Sequence, residues 1–182
     1  MRAFISIEPP EQIKKEIFKE FEKLESSGFV AGNFVGKNDL HLTLKFLGNI
    51  SEEQIEKIKK TFSDISFPKF EIKIGEIGFF PSESYVRVIW VGLIADELKK
   101  LKETIDKNLL DIGINSDGRE FSSHITVARV KKIKDKDNFL KKIKELKLKK
   151  MSFPVEKVTL MKSELTRDGP NYKVLGEFNL KK

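Results

Sequence analysis

The chain contains two histidines, and each one opens the same four-residue pattern. The pattern is His-x-Thr-x with apolar residues at both x positions, first at His41 and again at His124. Alternate side chains of a β-strand share a face, so each histidine would project beside its threonine, Thr43 or Thr126. An imidazole titrates near neutral pH, so one neutral and one protonated histidine could act as base and acid. The threonine hydroxyls could donate hydrogen bonds to phosphate oxygens, where negative charge develops.

Other residues suited to binding a phosphate or a nucleobase occur near the two patterns. Arg129 lies five positions after His124, and it could clamp a phosphate if a bulge or the strand end turns it toward that histidine. Lys45 lies four positions after His41, on the same face of a regular strand, where it could line a cleft. The aromatic side chains that could stack on a base are Phe80, Phe121, Tyr85 and Tyr172.

Several other chemistries are poorly supported by the sequence. Cysteine is absent, which excludes disulfides, thiolate metal sites and cysteine nucleophiles. No His-Glu-x-x-His pattern occurs, and two histidines alone make a weak zinc site. The glycines at 32 and 36 lack the spacing and the following Ser or Thr of a phosphate-binding loop. We therefore expect a site without a metal ion or another cofactor.

The elements that must position the two patterns occur in the same order twice. Each half reads as strand, helix, motif strand, helix and strand, judged from alternating or helical spacing of apolar residues. Pro9 and Pro10 open the first helix, and a capping box that begins at Ser51 opens the second. The dipeptide Phe67-Pro68 introduces a strand in the first half, and Phe153-Pro154 does so in the second. A last strand is expected over residues 172–180.

This repetition predicts an α+β fold with two pseudo-symmetric lobes, each an antiparallel sheet with two helices. We expect residues 1–182 to form a single bilobal domain whose halves are roughly 1–82 and 83–182. A pseudo-twofold axis would bring the two His-Thr strands face to face across an active-site cleft between the sheets.

Composition favours an anionic partner. The formal net charge is +7, which is typical of proteins that bind polyanions such as nucleic acid. The ten lysines between Lys131 and Lys150 could face RNA, or they could be a solvated helix face. No apolar run is long enough to span a membrane, and the first residues do not resemble a signal peptide. We expect a cytoplasmic protein, and the abundance of Lys, Glu and Ile hints at a thermophilic source.

The quoted residues resemble the 2H phosphoesterase superfamily, which is named for two His-x-Thr-x motifs. Residues 2–7, 41–48, 78–81, 88–92 and 121–130 resemble the archaeal and bacterial RNA 2′,3′-cyclic phosphodiesterases, and residues 163–165 and 169–172 fit as well. That family is also called 2′-5′ RNA ligase.

The resemblance implies a bilobal fold and metal-independent hydrolysis of a terminal 2′,3′-cyclic phosphate to a 2′-phosphate. It implies His41 as proton donor, His124 as proton acceptor, and Arg129 as the arginine that follows the second motif. The partner would be RNA with cyclic phosphate ends, such as tRNA fragments. We expect the protein to be a monomer by default. Ligation would be the same chemistry with an RNA 5′-hydroxyl in place of water.

Two alternatives stay open at the level of the sequence. The chain could be a non-catalytic RNA-binding module that uses the same cleft, or a phosphodiesterase for a small cyclic nucleotide. Without the resemblance, the symmetry of the two motifs leaves the acid and base roles unassigned.

Overall fold

The computed structural model of the protein describes residues 1–115, 120–166 and 169–181. The strands are β1 (Arg2–Ile7), β2 (Val30–Phe34), β3 (Leu42–Asn49), β4 (Phe70–Pro81), β5 (Val86–Ile94), β6 (His124–Ile133), β7 (Ser152–Val155), β8 (Lys157–Thr166) and β9 (Gly169–Asn179). The helices are α1 (Glu11–Glu25), α2 (Glu52–Phe62), α3 (Glu97–Leu110) and α4 (Lys136–Glu145), and Lys37–Asp39 forms a short 3₁₀ helix.

All nine of these strands belong to one curled sheet with antiparallel pairing. Its order is β7-β4-β5-β6-β3-β1-β8-β9, and β2 pairs with residues 128–133 of β6, beyond the residue pair that joins β6 to β3. The motif strands β3 and β6 are joined by a single residue pair, Leu42 with Ile125. We call β3-β1-β8-β9 the first lobe, and β7-β4-β5-β6 with β2 the second lobe. The two motif strands therefore lie side by side where the lobes meet, whereas symmetry alone suggested that they face each other.

Each lobe combines strands from both halves of the sequence. Strand β4 of the first half pairs with β5 and β7, and strand β8 of the second half pairs with β1. The strand expected to continue from Phe153 is divided at Glu156 into β7 and β8, which join different lobes. This exchange binds the two halves into one sheet, and it arises from pairing between residues far apart in the sequence.

The helices form where local signals predict them. In α1, Ile13, Ile17, Phe21 and Leu24 recur at helical spacing and are all buried. The chain leaves this helix through Gly28, whose φ of 73° favours glycine.

Helix α2 begins with the expected capping box. The Ser51 hydroxyl accepts a hydrogen bond from the backbone N–H of Gln54. The side-chain oxygen of Gln54 accepts one from the backbone N–H of Ser51. Its buried residues are Ile55, Ile58 and Phe62. This stretch of the sequence-based prediction is confirmed.

One hydrophobic core unites the helices with one face of the sheet. Ile5, Ile7, Leu42 and Ile125 belong to this core and are almost fully buried. The opposite face of the sheet carries both motifs. Strand β2 was not predicted, because its Gly-rich sequence lacks an alternating pattern. Among the described residues, no helix is long and apolar enough to cross a membrane.

Candidate active site

The register of the two motif strands brings the four motif residues together. Because Leu42 pairs with Ile125 in antiparallel orientation, His41 falls opposite Thr126 and Thr43 opposite His124. Leu42 and Ile125 are fully buried in the core, so the four motif residues lie on the other face. This register alternates histidines and threonines around a small square, with the histidines at diagonal positions. In a regular antiparallel pair, residues at diagonal positions are roughly 7–8 Å apart.

Both imidazoles are held in the same way. Nδ1 of His41 lies 2.6 Å from the carbonyl oxygen of Asp39, and Nδ1 of His124 lies 2.8 Å from that of Ser122. A carbonyl oxygen only accepts hydrogen bonds, so Nδ1 of each ring must carry the proton and donate it. The Nε2 atom of each histidine is therefore left to accept or deliver a proton.

Aromatic rings flank each histidine in a symmetric arrangement. Phe4 stacks on His41 at a centroid distance of 4.9 Å, and Tyr172 meets the same imidazole edge-on at 5.1 Å. Phe80 meets His124 edge-on at 5.0 Å, and Trp90 lies at 5.9 Å. The candidate stacking residues Phe80 and Tyr172 therefore pack against the histidines, which restricts the imidazoles to one orientation.

A bulge in β6 turns Arg129 toward the site. Trp90 pairs with Thr126, but Ile89 pairs with Ala128, so one residue of β6 is extra. The extra residue shifts the alternation, and Arg129 lies on the face of His124 despite its odd offset. Arg129 is exposed there. The bulge that the sequence argument required is present.

The corresponding bulge in β3 moves Lys45 away from the site. Thr43 pairs with Ser6, but Lys45 pairs with the core residue Ile5. Lys45 is only 2% exposed, and its Nζ lies 3.3 Å from Oδ1 of Asp106 on α3. The expectation that Lys45 lines the cleft is corrected, because it assumed a regular strand.

Phe46 takes the place in β3 that Arg129 has in β6. Each residue lies five positions after its motif histidine and just past the bulge. Phe46 is 50% exposed and lies 6.3 Å from the Phe4 ring. Phe46 was not among the predicted site residues, although an alignment of the two motifs gives it the position equivalent to Arg129. Phe121, another stacking candidate, is half-buried and packs against the core.

Comparison with known proteins agrees with this duplicated arrangement. The family model described as "LigT like Phosphoesterase" matches the chain twice, over residues 7–90 and 91–172. The chain belongs to the LigT-like phosphoesterase family. It is 37% identical to the RNA 2′,3′-cyclic phosphodiesterase of Methanocaldococcus jannaschii over 98% of this chain and 100% of that protein. The protein of the same name from Thermotoga maritima is 35% identical, with 97% and 94% covered.

Solved structures share the LigT-like fold over the whole chain. A crystal structure of a Thermus thermophilus protein has a TM-score of 0.84 at 26% identity, covering 100% of this chain and 98% of that one. Escherichia coli LigT in complex with 3′-AMP has a TM-score of 0.78 at 24% identity, with the same coverage. At that identity the second likeness concerns the fold alone.

Burial and charge act on both histidines of this LigT-like site. Burial lowers the pKa of His41 below its ordinary value. The Asp39 carbonyl and the Glu8 carboxylate act in the opposite direction, and Lys14 acts with burial. Burial also lowers the pKa of His124, and there the nearby Arg129 lowers it further. The two imidazoles are thus alike in geometry but differ in their charged neighbours.

A partly buried ion pair supports the segment that orients His41. Lys14 Nζ lies 2.8 Å from Glu8 Oε2, and it also donates to the Asn38 carbonyl at 3.0 Å. The buried Ser6 hydroxyl donates to the other oxygen of Glu8 at 3.1 Å. Asn38 precedes Asp39, whose carbonyl binds His41. The Glu8–Lys14 pair therefore fixes the acceptor on which the orientation of His41 depends.

The corresponding segment before His124 is fixed by neutral groups. The Ser123 hydroxyl donates to the Leu93 carbonyl at 2.7 Å, and the Leu93 amide donates to the Ser123 carbonyl at 3.0 Å. Carboxylates therefore accompany only the first motif. Within the described part of the chain, no three His, Asp or Glu side chains are grouped to hold a metal ion.

Gly78 offers a test of how closely the rings hold His124. A Cβ atom at Gly78 would overlap Cζ2 and Cη2 of Trp90, whose indole lies on this glycine. We expect Gly78→Ala to displace Trp90, to destabilise the fold by about 1–3 kcal/mol, and to lower kcat as His124 loses its fixed orientation. Thermal unfolding and steady-state kinetics would measure both effects.

Removing the overlap should remove the effect of the alanine. In a Trp90→Val background, Gly78→Ala should cost little additional stability or activity, because the indole no longer occupies the space. Equal costs in the two backgrounds would show that the alanine acts through something other than Trp90.

Proposed function

We propose that the protein hydrolyses the 2′,3′-cyclic phosphate at the end of an RNA to a 2′-phosphate, without a metal ion. The observation that carries the proposal is the square of His41, Thr126, His124 and Thr43, in which no described residue hydrogen-bonds to either Nε2 atom. The relatives named RNA 2′,3′-cyclic phosphodiesterase support the substrate. The positive net charge supports an RNA rather than an uncharged ligand.

In the proposed reaction, His124 is the general base. Its Nε2 takes a proton from water while the water oxygen forms a bond to phosphorus. The bond between phosphorus and O3′ breaks, and O3′ takes a proton from Nε2 of protonated His41. The product has a 2′-phosphate and a free 3′-hydroxyl, and exchange with solvent restores both histidines. Thr43, Thr126 and Arg129 stabilise the charge on the non-bridging oxygens.

The charged neighbours favour this assignment of acid and base. Burial lowers the pKa of His41 and Lys14 acts in the same direction, whereas Glu8 and Asp39 act to keep His41 protonated, as a general acid requires. Arg129 favours a neutral His124, as a general base requires. The resemblance to the phosphodiesterase family implies the same roles. Exposed Phe46, which has no charge, is suited to contact the terminal base or ribose.

The proposal includes several finer points about the protein. One chain supplies both histidines, which supports a monomeric enzyme with residues 1–182 acting as one bilobal domain. We include a cytoplasmic location and tRNA fragments as one source of substrate, as the sequence led us to expect. Ligation through a 2′-5′ bond would use the same residues with an RNA 5′-hydroxyl as nucleophile.

The deciding experiment uses an oligoribonucleotide that ends in a 2′,3′-cyclic phosphate. Incubation with the protein in EDTA should convert the end to a 2′-phosphate, which phosphorus NMR distinguishes from a 3′-phosphate. A strict requirement for added metal, or a 3′-phosphate product, would contradict the proposal. Binding of the RNA without turnover would instead favour a non-catalytic module, and turnover of cyclic mononucleotides alone would favour a small-molecule phosphodiesterase.

The role of Glu8 gives a prediction about pH. A protonated His41 is needed for activity, and Glu8 raises its pKa. We expect Glu8→Gln to lower that pKa, so the alkaline limb of the kcat/KM profile should move to lower pH while the acid limb stays. The measurement is kcat/KM as a function of pH with a cyclic phosphate substrate.

A matched charge change elsewhere is the control for Glu8. Glu22 is exposed on α1, so Glu22→Gln should leave both limbs in place. A shift of the acid limb in Glu8→Gln, with the alkaline limb unmoved, would reverse the assignment of His41 as the acid.

A further inference from the structure

An exposed pair of side chains, Tyr85 and Arg87, lies where β5 begins. The guanidinium carbon of Arg87 is 4.7 Å from the centroid of the Tyr85 ring, and Nε of Arg87 donates to the Tyr85 hydroxyl at 2.8 Å. Tyr85 nevertheless remains 56% exposed. A flat ring and a guanidinium held together in solvent are suited to stack on a base and to bind a phosphate.

A bulge in β5 places Arg87 on the same face as the active site. Pro81 pairs with Val86 and Phe80 with Val88, so Arg87 is the extra residue. Val86 and Ile89 are both buried in the core. The two residues between them in the sequence, Arg87 and Val88, therefore lie on the opposite face of the sheet.

This face leads directly from Arg87 to the histidines. Val88 pairs with Arg129 on one side and with Phe80 on the other, and the Phe80 ring contacts His124. Gly92, which lies five residues after Arg87 in β5, pairs with His124. At about 3.3 Å per residue, the distance along β5 from Arg87 to Gly92 is roughly 17 Å, which a few nucleotides can span.

Two arginines on the second lobe lie along this face without an ion pair, and so does Arg2 on the first lobe, near Tyr172, within the described residues. On the first lobe, Lys162 and Lys173 both make ion pairs with Glu164. On the second lobe, Arg87 and Arg129 make no ion pair within residues 1–115, 120–166 and 169–181. Lys136 adds a further positive charge beside them, because its Nζ donates to the Ser84 carbonyl at 3.5 Å. An RNA phosphate would therefore meet unneutralised charge along β5 and β6, from Arg87 to Arg129.

We propose that Tyr85 and Arg87 form a subsite for single-stranded RNA on the 5′ side of the terminal nucleotide. A base stacks on the Tyr85 ring, and the adjoining phosphate binds the Arg87 guanidinium. The strand then follows Arg129 to the histidines, where its terminal cyclic phosphate is cleaved. This inference rests on the proposed function and specifies how the protein distinguishes an RNA end from a free cyclic nucleotide.

The test compares two substrates that share the reacting group. One is 2′,3′-cyclic AMP, and the other is a short oligoribonucleotide whose last residue is the same cyclic nucleotide. Tyr85→Leu removes the flat ring, and it should lower kcat/KM for the oligonucleotide about 5- to 100-fold while changing that for cyclic AMP less than about two-fold. Arg87→Gln should act in the same selective way. Lys100→Gln, an equal charge change on α3, should affect neither substrate.

A binding measurement keeps the subsite testable apart from turnover. In a His124→Ala background, the affinity for the same oligonucleotide is measured by fluorescence anisotropy at several salt concentrations. Arg87→Gln should weaken binding and reduce the slope of log K against log salt by about 0.7, the value for one phosphate contact on a single strand. This result would support the subsite even if the wild type cleaved neither substrate.

Two outcomes would overturn the subsite while leaving the proposed function intact. One is an equal loss of activity on cyclic AMP and on the oligonucleotide, which would mean that the pair supports the catalytic face itself. The other is unchanged kinetics and an unchanged salt slope in both variants, which would mean that the RNA leaves the cleft by another route.

Discussion

Replacing either histidine with glutamine is expected to lower kcat at least about 10²-fold, the usual contribution of one general acid or base. Glutamine fills a similar volume, so the packing of Phe4 on His41 and of Phe80 on His124 should be largely kept. The measurement is single-turnover cleavage of an RNA cyclic phosphate, with thermal unfolding to verify folding. Near-normal rates in both variants would remove the histidines from the proposed mechanism.

A substrate with a better leaving group separates the two roles. An acyclic phosphodiester of 4-nitrophenol expels a stable anion and does not need a proton from His41. We therefore expect His41→Gln to retain much of its activity on this ester, while His124→Gln loses activity on both substrates. The opposite pattern would exchange the acid and base assignments.

The pH profile provides an independent measure of the same pair. Burial lowers the pKa of both His41 and His124 from the ordinary value of 6.5. Since kcat/KM reports the free enzyme, both limbs of its bell-shaped profile should fall on the acid side of that value. In the proposed roles His124 must be neutral and His41 protonated, so His124 sets the acid limb and His41 the alkaline limb if the pKa of His41 is the higher of the two.

Removing the motif hydroxyls is expected to have the second large effect. Thr126→Val keeps the branched shape of the side chain but removes the donor, and it should lower kcat about 10²- to 10³-fold, as the loss of one oxyanion donor does. Thr43→Val should act similarly, because the register gives the two threonines equivalent places across the square. The measurement is kcat under saturating RNA substrate.

Serine serves as the matched control for each threonine. Thr126→Ser and Thr43→Ser keep the hydroxyl, so they should retain most of the activity lost in the valine variants. If serine and valine variants were equally impaired, the threonines would act through packing rather than through hydrogen bonds to the phosphate.

Much of the candidate site could be predicted because its signals are local. The spacing of His41 and Thr43, repeated at His124 and Thr126, lies within four residues of one strand, where alternation sets which side chains share a face. The capping box and the apolar spacing of the helices are equally local, and the structure places them as expected. The repetition of these signals was sufficient to predict two similar lobes.

Pairing between distant strands decided what the sequence left open. One extra residue in a strand reverses the alternation, so a bulge turned Arg129 toward the histidines, and a second bulge buried Lys45 and exposed Phe46 in its place. Such bulges depend on the partner strand, which sequence spacing does not contain.

The sequence by itself therefore determined the proposed reacting groups, their duplication and the main helices, because short-range periodicity specifies them. Only the tertiary structure decided the exchange of β4 and β8 between the lobes and the side-by-side placement of the motifs. It also gave the two histidines different neighbours, with Glu8 near His41 and Arg129 near His124. These features depend on contacts between residues far apart in the chain, which form when strands and helices pack together.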